Sequence, residues 1–195
     1  PLPGKFNISN ALAALTLSEE LGIALSDAKN GIEKLSLIRG RVERIDCGQN
    51  FTVIVDYAHT DDSLRKLYET FDSSKKIAVL GSTGGGRDEW KRPVLGKIAD
   101  DYCHDIIITN EDPYDEDPMK IINDVARGVT THTPLCILDR RLAIRKAFSL
   151  ANAGDTVLIT GKGTDPYIMG ANGTKEVWDD ATVAKEELEK LKTLP

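Results

Sequence analysis

The sequence predicts an α/β fold in which helices cover both faces of a mostly parallel sheet, preceded by a short helical segment. Short apolar runs, for example 77–80, 105–109 and 155–160, alternate with segments whose apolar residues recur at helical spacing. Strands that are apolar almost throughout are typical of a parallel sheet, because helices bury both of its faces. Polar or glycine-containing loops follow these runs, as in open α/β sheets, which bind ligands at the carboxyl ends of their strands.

The first part of the chain contains two predicted helices and no predicted strand. Apolar residues at helical spacing predict an amphipathic helix over 7–21, which Gly22 ends. Ser26 is predicted to cap a second helix that runs to Leu35. The stripe expected to be buried on the first helix consists of Ile8, Ala11, Leu12 and Leu15, with Ile23 as a further candidate. Because strands and helices alternate only after Gly40, we place a domain boundary there. The predicted domains are residues 1–39 and 40–195.

The second domain begins with a predicted hairpin. Two β-rich runs, 42–47 and 51–57, flank the turn signal Gly48-Gln49-Asn50. Thr60 then caps a helix, since aspartates occupy its first turn and apolar residues follow at helical spacing. The remaining predicted elements are strand 77–80, helix 94–102, strand 105–109, helix 118–128, strand 135–138, helix 140–152, strand 155–160, strand 175–178 and helix 182–191.

A glycine-rich loop follows one of the predicted strands. The three glycines at 84–86 give the backbone freedom to approach a ligand. Pro93 starts the next helix, so that the N–H groups of this helix face the loop. Arg87, Lys91 and Arg92 surround the resulting site, which would suit an anion. The alternative is a flexible surface loop with solvated charges.

Four loops lie at the carboxyl ends of predicted strands and carry polar residues that a simple connection does not require. They are 56–60, the glycine loop, 109–115 and 161–165. Because parallel strands end at one edge of a sheet, we expect these loops to meet there and to form a site. His59, in the first loop, is explained as well by a structural hydrogen bond as by a catalytic role. His104 and His132 lie away from this edge and are expected to be solvated.

Composition and charge exclude several classes of function. The net charge is −6 and basic residues are scattered among acidic ones, so no nucleic-acid surface is expected. No apolar run reaches the roughly 20 residues of a membrane span and no signal-peptide core is present, so we expect a cytoplasmic protein without membrane partners. Cys47, Cys103 and Cys136 lack metal-site spacing, and we interpret them as small buried residues in a reducing compartment.

The motifs of several enzyme classes are absent. The sequence contains no GxSxG, HExxH or GxxxxGK(S/T), and so lacks a serine-hydrolase elbow, a zincin site and a P-loop. Residues 81–86 have an alternative interpretation as a dinucleotide-binding turn, with Asp100 or Asp101 as the ribose-binding acid. The spacing GxGxxG is not met, which argues against an NAD(P)-dependent oxidoreductase.

Short motifs along the chain, considered together, carry a family resemblance. They are Gly4-Lys5-Phe6-Asn7-Ile8-Ser9-Asn10-Ala11, Ala13-Ala14, Gly40-Arg41-Val42-Glu43, Val55-Asp56-Tyr57-Ala58-His59-Thr60, Gly84-Gly85-Gly86-Arg87-Asp88, Lys91-Arg92-Pro93, the loop 109–118 and Gly161-Lys162-Gly163. In this order they resemble the Mur ligases, ATP-dependent enzymes that add amino acids in peptidoglycan synthesis, and in particular the tripeptide synthetases of the MurE type. The resemblance covers nearly the whole chain.

The resemblance implies a ligase of three domains. Residues 1–39 resemble the end of the central ATPase domain, and residues 40–195 resemble the Rossmann-like C-terminal domain that binds the incoming amino acid. ATP and Mg²⁺ would then be bound mainly by a part of the central domain outside this chain, and the chain alone would be inactive. The implied reaction forms an acyl phosphate on the D-glutamate of UDP-MurNAc-L-Ala-D-Glu, which the amino group of a third amino acid attacks. Such a reaction needs cations and an oriented amine. We expect a monomer.

The resemblance also implies roles for individual residues. Those expected to bind the nucleotide are Asn7, Asn10, Arg41 and Asp56. Those expected to bind the amino acid are Arg87, Glu111, Asp112, Pro113, Tyr114, Gly161 and Asp165. Arg87 would hold the carboxylate of the amino acid. Supporting roles are expected for His59, Lys91 and Arg92, whereas no catalytic residue and no metal ligand is expected in this chain.

One departure from the family pattern concerns the third amino acid. Where the enzymes that add diaminopimelate have Asp-Asn-Pro-Arg, this chain has Glu111-Asp112-Pro113-Tyr114. Tyr114 cannot pair with the second carboxylate of diaminopimelate, although a basic residue of another loop is an alternative partner. The acidic wall that would suit the ammonium of lysine consists of Glu111, Asp112, Asp115 and Asp165. We therefore expect L-lysine or a similar diamino acid in preference to meso-diaminopimelate.

Two further alternatives stay open from the sequence. One is a neighbouring ligase of the folylpolyglutamate or cyanophycin synthetase kind, which shares the architecture of the last domain. The other is a binding module that senses an amino acid or a nucleotide and catalyses nothing. A P-loop and a UDP-binding domain in the same protein would distinguish the tripeptide synthetase from the binding module.

Overall fold

The computed structural model describes residues 2–193. The helices are α1 (Lys5–Glu20), α2 (Leu25–Lys34), α3 (Asp61–Thr70), α4 (Lys91–Tyr102), α5 (Pro118–Ala126), α6 (Arg140–Leu150) and α7 (Asp180–Thr193). The strands are β1 (Glu43–Ile45), β2 (Thr52–Asp56), β3 (Lys76–Leu80), β4 (Asp105–Thr109), β5 (Leu135–Ile137), β6 (Thr156–Thr160), β7 (Tyr167–Met169) and β8 (Lys175–Val177). The predicted alternation of strands and helices is confirmed.

Six strands form one sheet in the order β1-β2-β6-β3-β4-β5. The five neighbouring strands β2, β6, β3, β4 and β5 are parallel to one another. β1 pairs antiparallel with β2 at one edge of the sheet. β7 and β8 form a separate antiparallel pair. The mostly parallel sheet and the N-terminal hairpin are therefore as predicted, and β2, β6, β3 and β4 end along the same edge.

Helices cover both faces of this sheet. Along the central strand β6, Val157 and Ile159 belong to one core and Leu158 to the other, and all three are fully buried. The first core includes Ile144 of α6 and Leu188 of α7. Residues from α3, α4 and α5 in the second core include Leu67, Ile98 and Ile122. Burial on both faces explains why the strands are apolar almost throughout.

The two N-terminal helices differ from the prediction. Neither contains a buried residue, and the apolar stripe of α1 is open, with Ile8 63% and Leu12 59% exposed. An apolar groove of about 420 Å³ runs between α1 and α2, so α2 covers the stripe only in part. The start of α2 was also placed wrongly, because Ser26 lies within its first turn and the carbonyl of Ala24 accepts the N–H of Ala28.

Smaller differences concern short elements. α4 begins at Lys91 and includes Pro93 in its first turn, so the predicted start at 94 was late. β1 has only three residues, and β7, also three residues long, is too short to produce a recognisable pattern in the sequence. No helix in the described part of the chain has the length and apolar content of a membrane span.

Several side chains lie in environments other than those expected. Of the three cysteines only Cys103 is buried, and burial raises its pKa to about 12. Cys47 is half-buried and Cys136, on the edge strand β5, is exposed, so their interpretation as buried residues was wrong. His132 is not simply solvated, because its Nδ1 lies 2.9 Å from Oδ1 of Asp100.

Asp100 holds the connection between α5 and β5. Its carboxylate accepts the backbone N–H groups of Thr130, Thr131 and His132 at distances of 2.9 to 3.0 Å. Burial raises the pKa of Asp100, but these hydrogen bonds outweigh it and hold the pKa well below its usual range. A carboxylate occupied in this way has no free oxygen for a ribose, which argues against Asp100 as the ribose-binding acid of the dinucleotide-binding alternative.

A buried ion pair joins α6 and α7 beneath the loops. Arg140 donates to both carboxylate oxygens of Asp180, at 2.7 and 2.9 Å, and both residues are almost fully buried. The same guanidinium donates to the carbonyl oxygens of Asn110, at 3.2 Å, and Thr160, at 2.8 Å. Nε1 of Trp178 also donates to Asp180, at 2.8 Å. The pair therefore fixes the loops after β4 and β6 relative to the helices.

We expect Asp180→Ala to destabilise the chain by about 3 to 5 kcal/mol, because Arg140 is left buried without its counter-ion. Urea unfolding measures this cost. Glu186→Ala is the control, since its ion pair with Arg141 is partly exposed and should contribute less than about 1 kcal/mol. Equal costs for the two variants would contradict the structural role of the buried pair.

Candidate functional site

The four loops meet at the carboxyl edge of the sheet and enclose a pocket of about 260 Å³, here called the rim pocket. Its lining residues are Tyr57, His59, Thr60, Thr83, Arg87, Asp88, Lys91, Glu111, Asp112, Tyr114, Gly161 and Asp165. Every residue predicted to bind the amino acid lines this pocket except Pro113. The structure therefore brings together residues that are up to about a hundred positions apart in the chain, as parallel strand order requires.

Arg87 and Lys91 bring positive charge to the rim pocket. Arg87 is exposed and Lys91 is half-buried, and neither forms an ion pair within residues 2–193. Arg92, which was predicted to support the same site, is instead fully buried and pairs with Glu116 and Asp124. Successive helical residues point about 100° apart, so Lys91 faces the pocket while Arg92 faces the neighbouring helix.

Two glycines allow the loops to approach one another. A Cβ atom on Gly84 would lie 2.3 Å from the carbonyl oxygen of Pro113. A Cβ atom on Gly161, whose φ is +104°, would lie 2.3 Å from Oε2 of Glu111. A larger residue at 84 would force the two backbones apart, whereas one at 161 would displace the buried side chain of Glu111. Pro113 therefore contributes a backbone contact behind the pocket, not a pocket wall.

Glu111 is a buried carboxyl group at the back of the rim pocket. Oγ1 of Thr83 donates to its Oε1 at 2.8 Å. Burial raises the pKa of Glu111, and the nearby guanidinium of Arg140 opposes this shift only in part. A buried carboxyl group with a raised pKa is a weaker counter-ion for an ammonium than an exposed one.

Asp112 is neutralised by a lysine that the sequence analysis did not assign to the site. Nζ of Lys162, a residue only 1% exposed, donates to both oxygens of Asp112 at 2.8 Å. The backbone N–H of Met169 donates to the same carboxylate at 2.8 Å. The ion pair thus ties the loops after β4 and β6 to β7. Its only signal in the sequence was the motif Gly161-Lys162-Gly163.

The acidic wall expected from the sequence is therefore largely absent. Asp112 is paired and Glu111 is buried, whereas Asp115 lies outside the rim pocket and accepts a backbone N–H at 2.7 Å. Asp165 alone of the four lines the pocket with a large exposed fraction, 41% of its side chain, although Nζ of Lys162 also lies 3.4 Å from its Oδ2. Asp88, which the sequence analysis did not assign to the site, adds a second exposed carboxylate.

Two tyrosines line the rim pocket. Tyr114 has a φ of +51°, unusual for a bulky residue, and its N–H donates to the carbonyl of Met169 at 3.1 Å. Tyr57, not predicted as a site residue, lies under the guanidinium of Arg41, 5.1 Å from ring centroid to Cζ. His59 contacts Tyr57 edge-on, and its Nδ1 lies 2.9 Å from the carbonyl oxygen of that residue. The histidine thus has a local structural hydrogen bond while it also faces the pocket.

Asp56, predicted to bind the nucleotide, is engaged by the backbone. Its two carboxylate oxygens accept the N–H groups of Val42 and Ala58, each at 2.7 Å. Burial raises the pKa of Asp56 and these two hydrogen bonds oppose the shift. The carboxylate of Asp56 therefore stabilises the turn that contains Arg41 and Val42.

Asn7 and Asn10 lie on α1, apart from Arg41 and Asp56. Nδ2 of Asn10 donates to Oδ1 of Asn7 at 3.2 Å. Asn10 also lines an open cleft of about 740 Å³ between α1 and α3, together with Phe6. No hydrogen bond within the described part of the chain joins these asparagines to the turn that carries Arg41. The four residues predicted for the nucleotide therefore form two separate groups.

Comparison with known proteins gives consistent similarities. Residues 40–163 match the family described as Mur ligase, glutamate ligase domain. The chain is 44% identical over 200 residues to a UDP-N-acetylmuramyl-tripeptide synthetase of Roseiflexus sp. (strain RS-1). This alignment covers 97% of the chain and 39% of that protein. It is 39% identical over 195 residues to a UDP-N-acetylmuramoyl-L-alanyl-D-glutamate–2,6-diaminopimelate ligase of Clostridium tetani, over 97% of the chain and 40% of that protein.

A solved structure shows the same likeness. A UDP-N-acetylmuramoyl-L-alanyl-D-glutamate–2,6-diaminopimelate ligase superposes with a TM-score of 0.75 at 34% identity, over 98% of this chain and 40% of that one. The chain spans about two fifths of the length of the curated relatives it matches.

We expect Lys162→Met to destabilise the chain by about 3 to 5 kcal/mol, because the carboxylate of Asp112 is left buried without a cation. Adding Asp112→Asn should recover part of the lost stability, because the uncharged carboxamide needs no counter-ion. Its oxygen still accepts the N–H of Met169. Urea unfolding of the single and double variants measures both effects. Lys175→Met, at an exposed position of β8, is the control. A double variant no more stable than Lys162→Met would contradict the pairing.

Proposed function

The chain belongs to the Mur ligase family, as its motifs indicated, and from this premise we propose that it is the C-terminal part of a longer tripeptide synthetase. In this proposal the full enzyme uses ATP to add the third amino acid to UDP-MurNAc-L-Ala-D-Glu in peptidoglycan synthesis. The observation that carries the proposal is the rim pocket, in which Arg87 is exposed and has no ion-pair partner in the described residues. Carboxylate binding by such a guanidinium is strong and directional.

The proposal divides the chain near residue 40. In this division α1 and α2 belong to the preceding ATPase domain, and the residues from Gly40 onward form the amino-acid-binding domain. The open apolar stripe of α1 supports it, because a surface of that kind is normally covered by another part of a protein. The family match, which starts at residue 40, is consistent with the same division.

In the proposed reaction the γ-carboxylate of D-glutamate attacks the γ-phosphorus of ATP, which forms the acyl phosphate and releases ADP. The amino group of the third amino acid then attacks the carbonyl carbon of this acyl phosphate, loses a proton, and releases inorganic phosphate. The part assigned to this chain is to hold the amino acid. If Arg87 binds the α-carboxylate, the amine on the same carbon is oriented as well, which lowers the entropic part of the barrier.

The nucleotide contacts assigned to this chain are peripheral. A carboxamide offers a donor and an acceptor, as the edge of adenine requires, so we propose that Asn7 and Asn10 contact the base. Arg41 contacts the nucleotide from its turn, and Asp56 acts through that turn, since its own oxygens are occupied. Mg²⁺ and the phosphates belong mainly to the P-loop of the ATPase domain, which this sequence lacks. The chain alone is therefore proposed to be inactive.

For the third amino acid we propose L-lysine or a similar diamino acid in preference to meso-diaminopimelate. Tyr114 supplies no charge for a second carboxylate. Asp165, whose Oδ2 lies 3.4 Å from Nζ of Lys162, is still partly exposed and offers a counter-ion for an ammonium. Lys91 is the cation that could serve diaminopimelate instead. Some relatives are named as diaminopimelate ligases, so L-lysine has to be compared directly with meso-diaminopimelate as a substrate.

We expect Arg87→Ala in the full-length ligase to reduce kcat/KM for the amino acid, because the carboxylate loses its bidentate partner. The reduction should correspond to a loss of about 2 to 4 kcal/mol of transition-state stabilisation. Arg87→Lys should recover only part, since an ammonium cannot form the paired hydrogen bonds. Arg44→Ala, at an exposed position of β1, is the control. Unchanged kinetics in Arg87→Ala would show that Arg87 is a solvated surface charge.

Side-by-side kinetics with L-lysine and meso-diaminopimelate test the choice of amino acid. We expect the higher kcat/KM for L-lysine, and Asp165→Asn should lower the value for lysine more than that for diaminopimelate, because it removes the counter-ion of the ammonium. Phosphate release is the readout, and the 195-residue chain alone serves as the inactive control. A kcat/KM for meso-diaminopimelate about tenfold above that for L-lysine would reverse the proposed preference.

A further inference from the structure

Arg92 is a buried cation that does not reach the rim pocket. The residue is 0% exposed, its Nη1 donates to Asp124 at 3.2 Å, and its Nη2 donates to both oxygens of Glu116 at 3.0 and 3.1 Å. A cation removed from water needs such partners, because desolvation otherwise costs more than folding can offset. These bonds hold the guanidinium at one position between α4 and the loop that precedes α5.

Glu116 connects this buried cation to the glycine loop. Its Oε1 accepts the N–H of Gly86 at 2.6 Å. On the other side, Nη2 of Arg92 lies 3.5 Å from the carbonyl oxygen of Thr83. The two residues therefore bond to both ends of the segment 83–86, which directly precedes Arg87.

The glycine loop depends on backbone contacts of this kind. Gly85 and Gly86 have φ values of +74° and +68°, and they have no side chains that could pack. Fixing such residues costs more conformational entropy than fixing any other residue type. The N–H of Gly84 is held by the carbonyl of Asp112 at 2.7 Å, and the hydrogen bond of Gly86 to Glu116 lies immediately before Arg87.

We propose that Arg92 and Glu116 are positioning residues for Arg87, because together they clamp the glycine loop in the form that directs Arg87 into the rim pocket. Neither residue lines the pocket, so both act through the loop. The effect on amino-acid use rests on the function proposed above, whereas the clamp is a property of the chain itself.

Lys120 provides a matched control for the clamp. Its Nζ lies 3.7 Å from Glu116, 3.8 Å from Asp124 and 3.7 Å from Glu89, which follows the glycine loop, with 52% of the side chain exposed. It thus belongs to the same charge cluster but has no hydrogen bond to the glycine loop in the described structure. If the cluster only joined α4 to α5, variants of Lys120 and Glu116 would affect the loop alike.

Hydrogen exchange on the 195-residue chain tests the clamp directly. We expect amides in residues 83–88 to exchange at least about tenfold faster in Glu116→Ala than in the parent chain, with Lys120→Ala unchanged. Glu116→Gln should protect the loop in part, because its carboxamide oxygen still accepts the N–H of Gly86. The thermal midpoint of each variant separates local opening from global unfolding. Unchanged exchange in Glu116→Ala would overturn the proposal.

Kinetics of the full-length ligase test the consequence for Arg87, with L-lysine and meso-diaminopimelate as probes. We expect Glu116→Ala to raise the KM for the amino acid about tenfold with little change in kcat, and to have no further effect when Arg87→Ala is already present. If the effects of Glu116→Ala and Arg87→Ala on the KM were fully additive in the double variant, the positioning role of Glu116 would be wrong. If Arg87→Ala itself leaves the KM unchanged, the role of Arg87 in the proposed function is wrong, and faster loop exchange then supports the clamp alone.

Discussion

Parallel pairing of β2, β6, β3 and β4 is the constraint on which the rest of the structure depends. Parallel strands all end at one edge, so each loop that follows a strand must meet its neighbours there. The loops at this edge are polar, and they are held to one another by hydrogen bonds and ion pairs such as that of Lys162 with Asp112. Gly84 lets its loop come close to the backbone of Pro113, and Gly161 leaves room for the side chain of Glu111.

Several buried charges are paired with one another, whereas Arg87 and Lys91 at the rim have no ion-pair partner among residues 2–193. The buried sets are Arg140 with Asp180, Lys162 with Asp112, and Arg92 with Glu116 and Asp124. An unpaired ion in the interior costs several kcal/mol, whereas an exposed one remains hydrated. This difference separates the residues that hold the loops from those, such as Arg87, that remain available to a carboxylate.

Three non-glycine residues at or beside the site, Val42, Asp88 and Tyr114, have left-handed backbone. Val42 has a φ of +49° and Tyr114 a φ of +51°, and such values cost a side-chain-bearing residue roughly 1 to 3 kcal/mol. A specific hydrogen bond holds each of them, to Asp56 in the first case and to the carbonyl of Met169 in the second. The strained turn at Val42 presents Arg41, and the strained loop at Tyr114 lines the rim pocket, so both strained segments lie beside side chains to which we assign a function.

The sequence by itself determined the alternation of strands and helices, the parallel sheet, the loops at its carboxyl edge and the family, because these follow from local periodicity and from short contiguous motifs. It did not determine which charges remain available. Arg87 and Arg92 look alike in the sequence, yet only the first stays exposed, and Asp112 is neutralised by Lys162, which lies fifty residues further along the chain. Only the tertiary structure decides such pairings, because they depend on the direction of each side chain and on the cost of removing its charge from water.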